Sequence, residues 1–146
     1  MQLHGHNYQK DGRMPKFNLD NIPDGTPRQL FGMIQHAIGH DKAVTREKIF
    51  DLFLTYYYKN PSDRAIRNAA EEIRNCGIRL IDLEDGAGLF IANTEEEYQH
   101  FRARYGSHAF TILRTIRAMD NGVNAAEITD DEIIATKPTA TQLSLG

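Results

Sequence analysis

Cysteine is almost missing from this chain: Cys76 is the only one in 146 residues. One thiol excludes an internal disulfide and a zinc site built from cysteines. Long apolar runs are missing too, and none approaches the roughly 20 residues that cross a bilayer. The start, MQLHGHNYQKDGR, is polar and lacks the apolar stretch of a secretory signal. Nor is there an excess of base, because 17 Lys and Arg stand against 20 Asp and Glu, a formal charge of −3. That excludes a histone-like coat for nucleic acid but leaves room for a local basic patch. Signatures of catalysis are equally scarce. There is no Gly-x-Ser-x-Gly turn and no phosphate-cradling Gly-rich loop with a lysine. Cys76, at a predicted helix end, reads as a small packing thiol rather than a nucleophile. The expectation is a soluble, intracellular, non-enzymatic protein without a cofactor.

What is present is enough to fold. At 40% hydrophobic and 25% charged residues the chain can build one packed domain with a short arm at each end. Residues 1–25 read as an N-terminal arm, since Gly5, Gly12, Pro15, Pro23 and Gly25 interrupt any period. Within it, Phe17-Asn18-Leu19 has the alternation of a short edge strand. Residues 121–146 read as an acidic, largely flexible tail. From Asn124 on, one lysine faces four acids, which equals the whole net charge. Thr129 to Glu132 has the pattern of a cap for a short helix carrying Ile133 and Ile134, and the chain beyond Pro138 reads as flexible.

Between these ends, residues 26–120 form an orderly series. Thr26-Pro27 reads as a cap followed by proline in the first turn. Leu30, Phe31, Ile34 and Ile38 follow at helical spacing up to Gly39. Thr45 opens a second helix with Ile49, Leu52, Phe53 and Tyr56 on one stripe, and Asn60-Pro61 stops it. The run Tyr56-Tyr57-Tyr58 reads as divided between core and rim. Ser62 or Asp63 caps a third helix, 62–76, with Ile66, Ala69, Ala70 and Ile73 inward. Gly77 ends it.

The period then changes from 3.6 to 2. Ile78, Leu80 and Leu83 alternate with polar residues, Asp85-Gly86-Ala87-Gly88 turns the chain, and Leu89 to Ala92 returns as a second strand. Thr94, with Glu97 three residues on, opens a long helix over 94–120 as a capping box. Its apolar residues are Tyr98, Phe101, Tyr105, Ile112, Leu113, Ile116 and Met119, and Gly106-Ser107 is the candidate kink.

Three helices, a hairpin and a long helix are the order of a winged helix-turn-helix: an α+β, mostly helical fold. Residues 62–92, SDRAIRNAAEEIRNCGIRLIDLEDGAGLFIA, resemble winged-helix modules of the biotin-repressor type and of small bacteriophage and prophage proteins. TEEEYQHFRARYGSHAFTILRTIRAM resembles the arginine-rich helix that follows the wing in many phage examples. The resemblance implies double-stranded DNA as the ligand, with helix 62–76 in the major groove and the turn over 82–88 as the wing. It implies a transcriptional regulator or a phage replication factor, in the cytoplasm of a bacterium or an infected host.

The residues permit that role. With its apolar stripe inward, the third helix turns Arg64, Arg67, Asn68, Glu71, Arg74 and Asn75 outward. Arg pairs bidentately with guanine and Asn with adenine at the major-groove edge. Arg67, Asn68 and Asn75 are the leading base contacts; Arg64 and Arg74 suit base or phosphate. Arg79, at the base of the first strand, is the one basic group beside a turn that carries Asp82, Glu84 and Asp85. Those three acids oppose phosphate contact by the wing and support an alternative. In it the chain is an adaptor, or a phage-encoded inhibitor of a host enzyme, that offers its acidic wing and tail to a basic protein. On the last helix Arg114 and Arg117, near Arg102, Arg104, His100 and His108, suit phosphate contact, while the same helix suits homodimerisation. His36 and His40 are four apart, with His4 and His6 in the arm, but Gly39 ends the helix between them. They read as surface histidines, not metal ligands.

Overall fold

The chain enters its first helix through Gly25, at φ 88°, and α1 runs Thr26–Ile34 with Pro27 in the first turn. There the missing N–H leaves no helical bond unmade. In this computed structural model, residues 19–135 are the described part of the chain. Thr26 is not the cap expected of it: its hydroxyl accepts a hydrogen bond from Lys59 Nζ at 3.1 Å instead. α1 buries Leu30, Phe31 and Ile34 and stops there, well short of Gly39.

The helical spacing of Ile38 is overridden by a different set of backbone bonds. The segment from Ala37 to Val44 lies along one edge of a strand, β2 (Leu89–Ile91). Ile91 N donates to Ala37 O at 2.8 Å and Gly39 N donates to Ile91 O at 2.9 Å. Val44 and Leu89 exchange two bonds of 2.9 Å, and a single 3-10 turn over His40–Lys42 fills the space between.

α2 (Arg46–Tyr57) starts as expected, with the Thr45 hydroxyl accepting from Lys48 N. It buries Ile49 and Phe53. It ends because Tyr58 takes a left-handed φ of 52°, its N–H bonding Leu54 O at 3.2 Å. The tyrosine run is a correction. Tyr56, Tyr57 and Tyr58 are all exposed, Tyr58 by 90%, because the helix outruns the core beneath it. α3 (Asp63–Asn75) follows after five residues, capped by the Ser62 hydroxyl accepting from Ala65 N at 3.1 Å. It ends through Gly77 at φ 87°.

β1 (Leu80–Asp82) then pairs antiparallel with β2, placing Ile81 opposite Phe90. The expected alternation of buried and wet residues is absent here, because both faces of the hairpin are covered. Leu80, Leu89 and Ile91 join Ile22, Leu30, Ile34, Phe53 and Ile73 in the main core. Ile81 and Phe90 join Ala37, Ala92 and Phe101 in a second cluster. The protein is thus α+β and mostly helical, with one two-stranded hairpin among the described residues.

α4 (Glu95–Asn121) opens on the expected capping box: Glu97 N donates to Thr94 Oγ1 at 3.1 Å, and Glu97 Oε1 accepts from Thr94 N at 3.2 Å and also from Asn93 N at 2.7 Å. It is continuous through Gly106-Ser107, so the candidate kink does not break it. Two compact units meet within this helix, one up to Phe101 and one from Arg102. The first unit begins inside the segment read as an arm, since Ile22 is 1% exposed in the main core. The candidate strand at Phe17-Asn18, and His4 and His6, lie outside the described residues.

Within the stretch read as a largely flexible tail, residues 124–135 are structured. Asn124 caps a 3-10 turn over Ala125–Glu127, and α5 (Asp130–Ala135) carries the capping box read from Thr129 and Glu132. Ile128 and Ile133 are buried. The stretch beyond Pro138 lies outside the described residues. No helix among them is long and apolar enough to cross a membrane.

Candidate nucleic-acid interface

The start of α3 is fixed from both sides. Arg46, at the head of α2, pairs with Asp63, and Lys59 reaches from the connecting turn to Thr26 and to Gln29 Oε1 at 2.8 Å. Small Ala69 and Ala70 let α3 lie close on the core, and Ile73 fills it. What remains outward is Arg64, Arg67, Asn68, Glu71 and Asn75, all exposed. The side chains of Arg64, Arg67, Asn68 and Asn75 make no hydrogen bond or ion pair with another described residue. Four of the sequence-predicted contacts are therefore brought together on one face and left open.

The other four expected basic contacts fare differently. Arg74 is turned down from that face: its Nε donates to Leu80 O at 2.8 Å, and its guanidinium lies over the Phe101 ring at 5.1 Å. Its side chain is 18% exposed and is used in holding α3 to β1. Arg79 is 4% exposed, paired with Glu95 and stacked over the Tyr98 ring at 3.7 Å. It fastens the start of α4 to the hairpin and offers no charge to a surface ligand, which corrects its reading as a contact residue. Arg114 is likewise engaged: it pairs with Asp130 and its Nε donates to Ile128 O at 3.4 Å. Arg117, half-buried in the same unit, makes no such pair.

The turn between the strands is built by its own acids. Asp82 Oδ1 accepts from Glu84 N at 2.8 Å and Asp85 Oδ1 accepts from Ala87 N at 3.0 Å. Glu84 sits at a left-handed φ of 59° between them. Gly88, at φ 104°, is required: a Cβ there would stand 1.9 Å from Val44 O. Asp85 Oδ2 also meets His40 Nε2 at 2.7 Å. The bond from Ala87 N, and then the His40 ring, hold the Asp85 carboxyl below the usual aspartate range.

His40 is a hub that spacing alone does not announce. Its ring meets Phe90 edge-on at 5.5 Å, and its backbone N–H donates to Glu97 Oε2 at 3.1 Å. It thereby ties the α1–α2 connection to the hairpin turn and to α4. The only hint in the sequence is Gly39, whose φ of 98° sets the turn. His36 is exposed and apart from it. No group of three His, Cys, Asp or Glu that would hold a metal ion occurs among the described residues. Cys76 is half-buried, with Sγ donating to Asn21 O and Glu72 O at 3.2 and 3.3 Å. No family model, curated protein or solved structure matches this chain.

Proposed function

We propose that the first unit is a winged helix-turn-helix that binds double-stranded DNA, with α3 entering the major groove. The observation that carries this reading is the outward face of α3. Arg64, Arg67 and Asn68 stand exposed and unengaged near its N-terminal end, the end by which a recognition helix reaches base edges. The order of elements supports it, as does the segment from Ala37 to Val44 lying beside the hairpin.

The contacting set is narrower than composition suggests: Arg67, Asn68 and Asn75 at base edges, with Arg64 suited to base or phosphate. A regulator or replication accessory factor of a bacterium or phage is the role that fits. Asp82 and Asp85 shape the turn by accepting from backbone N–H groups and keep their charge, so in this reading α3 rather than the turn meets the duplex.

Fluorescence anisotropy with a labelled random duplex of about 30 base pairs, long enough for several helical turns, tests the proposal. The expected result is binding that weakens log-linearly with salt as counterions are released. Absence of binding at low salt would sink it.

A further inference from the structure

The outward face of α3 is not wholly basic: Glu71 stands among Arg64, Arg67, Asn68 and Asn75. At about 100° per residue it lies within about 60° of each of them, in the middle of the face rather than at its rim. Along the axis it comes about 4.5 Å after Asn68 and about 6 Å before Asn75. Arg67 is four residues earlier, a spacing at which opposite charges pair, yet it makes no ion pair with Glu71. Arg74 Nη1 stands 3.7 Å from Glu71 Oε2, beyond hydrogen-bond reach, and the glutamate side chain is 49% exposed. A carboxylate has about four lone-pair sites, so an ion pair at one oxygen does not exhaust it.

If α3 lies in the major groove, this carboxylate does not stand clear of the duplex. With Asn68 and Asn75 at base edges, the residue between them on the same face is at a base edge too. There it meets a donor or an acceptor. Guanine shows two acceptors in the major groove, thymine an acceptor and a methyl group, and adenine an acceptor beside its amine. Cytosine alone offers a donor with no acceptor next to it. We infer that Glu71 is a specificity-determining residue of this site, accepting a hydrogen bond from the N4 amine of a cytosine and repelling duplexes that place an acceptor there. The inference rests on the DNA-binding reading above.

The same charge acts on binding without sequence. Arg64 and Arg67 give the face two positive charges, and Glu71 halves the net charge it presents to phosphate. Discrimination is gained by exclusion as well as by contact.

Selection of bound duplexes from a random library of about 30 base pairs, several helical turns long, by the wild-type chain and by Glu71→Gln tests it. With wild type one selected position should be cytosine, and exchanging that base pair should weaken binding by about tenfold to a hundredfold. Glutamine keeps the shape but pairs a donor with an acceptor, the pattern that fits adenine. In the variant that position should therefore lose its cytosine and accept adenine, while an unselected duplex binds about threefold more tightly. Arg67→Ala should leave the cytosine in place. An unchanged base preference in a folded Glu71→Gln would overturn the inference and leave the DNA-binding reading standing. Failure of wild type to bind any duplex at low salt would remove both. If the variant fails to fold, wild type decides. Placing 7-deazaguanine opposite a selected cytosine removes the N7 acceptor an arginine would use. At one C·G pair binding should survive that change; its loss at every such pair would assign them all to arginine and overturn the inference.

Discussion

α3 and the second half of α4 are both amphipathic helices carrying arginines, yet their neighbours uncover opposite sides of them. α3 buries Ala69, Ala70 and Ile73 and leaves Arg64 and Arg67 open. α4 leaves Ile112, Ile116 and Met119 exposed, and of the two arginines in its C-terminal half it is Arg114 that is paired. A helix's composition says which chemistries it owns. Which of them faces a partner is set by what packs on it, and here the two helices present guanidinium in one case and hydrocarbon in the other.

The largest expected effect sharpens that contrast. Ile73→Ala in α3 should destabilise the protein by about 2–5 kcal/mol, as a fully buried isoleucine does. Ile116→Ala, at an exposed position of α4, should stay within about 0.5 kcal/mol. Urea melts of both variants check this, and equal losses would erase the distinction. Next, Arg67→Ala should cost about 1–3 kcal/mol of DNA binding and relax sequence preference, with no change in melting. The reverse is expected at the other end of the same helix. Arg74→Ala should lower stability by about 1–2 kcal/mol through its lost carbonyl bond and ring contact. A variant of Arg74 that melts normally but fails on DNA would restore it to the contact face.

The smallest effect lies in the turn between the strands. Asp85 is held below the usual aspartate range in the folded protein, so its contribution to stability is present above about pH 4. It is lost as the pH falls through the depressed folded value. An NMR titration of the Asp85 carboxyl should therefore give a midpoint under the ordinary one. His40→Ala should move it upward without restoring it fully, since the bond from Ala87 N is the larger cause. A wild-type midpoint at or above the ordinary value would contradict the clasp.

Short-range chemistry was legible in the sequence. Thr45, Ser62, Thr94 with Glu97, and Thr129 with Glu132 all cap where their spacing says they should, because a cap joins residues two or three apart. The hairpin and its Gly-rich turn were legible for the same reason. Ile38 misled because it stands four after Ile34, a helical step, whereas its backbone is claimed by β2 across the chain. Tyr56 misled similarly: three after Phe53, it keeps the stripe's period but lies past the end of the core. For the candidate site, periodicity found the open face of α3. It missed that Arg74, Arg79 and Arg114 reach Leu80, Glu95 and Asp130, because a long guanidinium arm takes its partner from tertiary neighbours that spacing does not encode.

The bond from Arg74 to Leu80 also settles the edge of the small sheet. β2 has a neighbour on each side, β1 on one and the Ala37–Val44 segment on the other, so the open edge of the hairpin belongs to β1. Arg79 O accepts from Ala92 N within the hairpin, and carbonyls alternate along a strand, so Leu80 O points out over that edge. An outward carbonyl flanked by buried hydrophobics is a template on which another chain's strand can pair. Arg74 occupies it with a charged, planar group that no incoming strand displaces cheaply. The arginine lost to the recognition face thus satisfies a carbonyl on the edge of β1 that no strand pairs among the described residues.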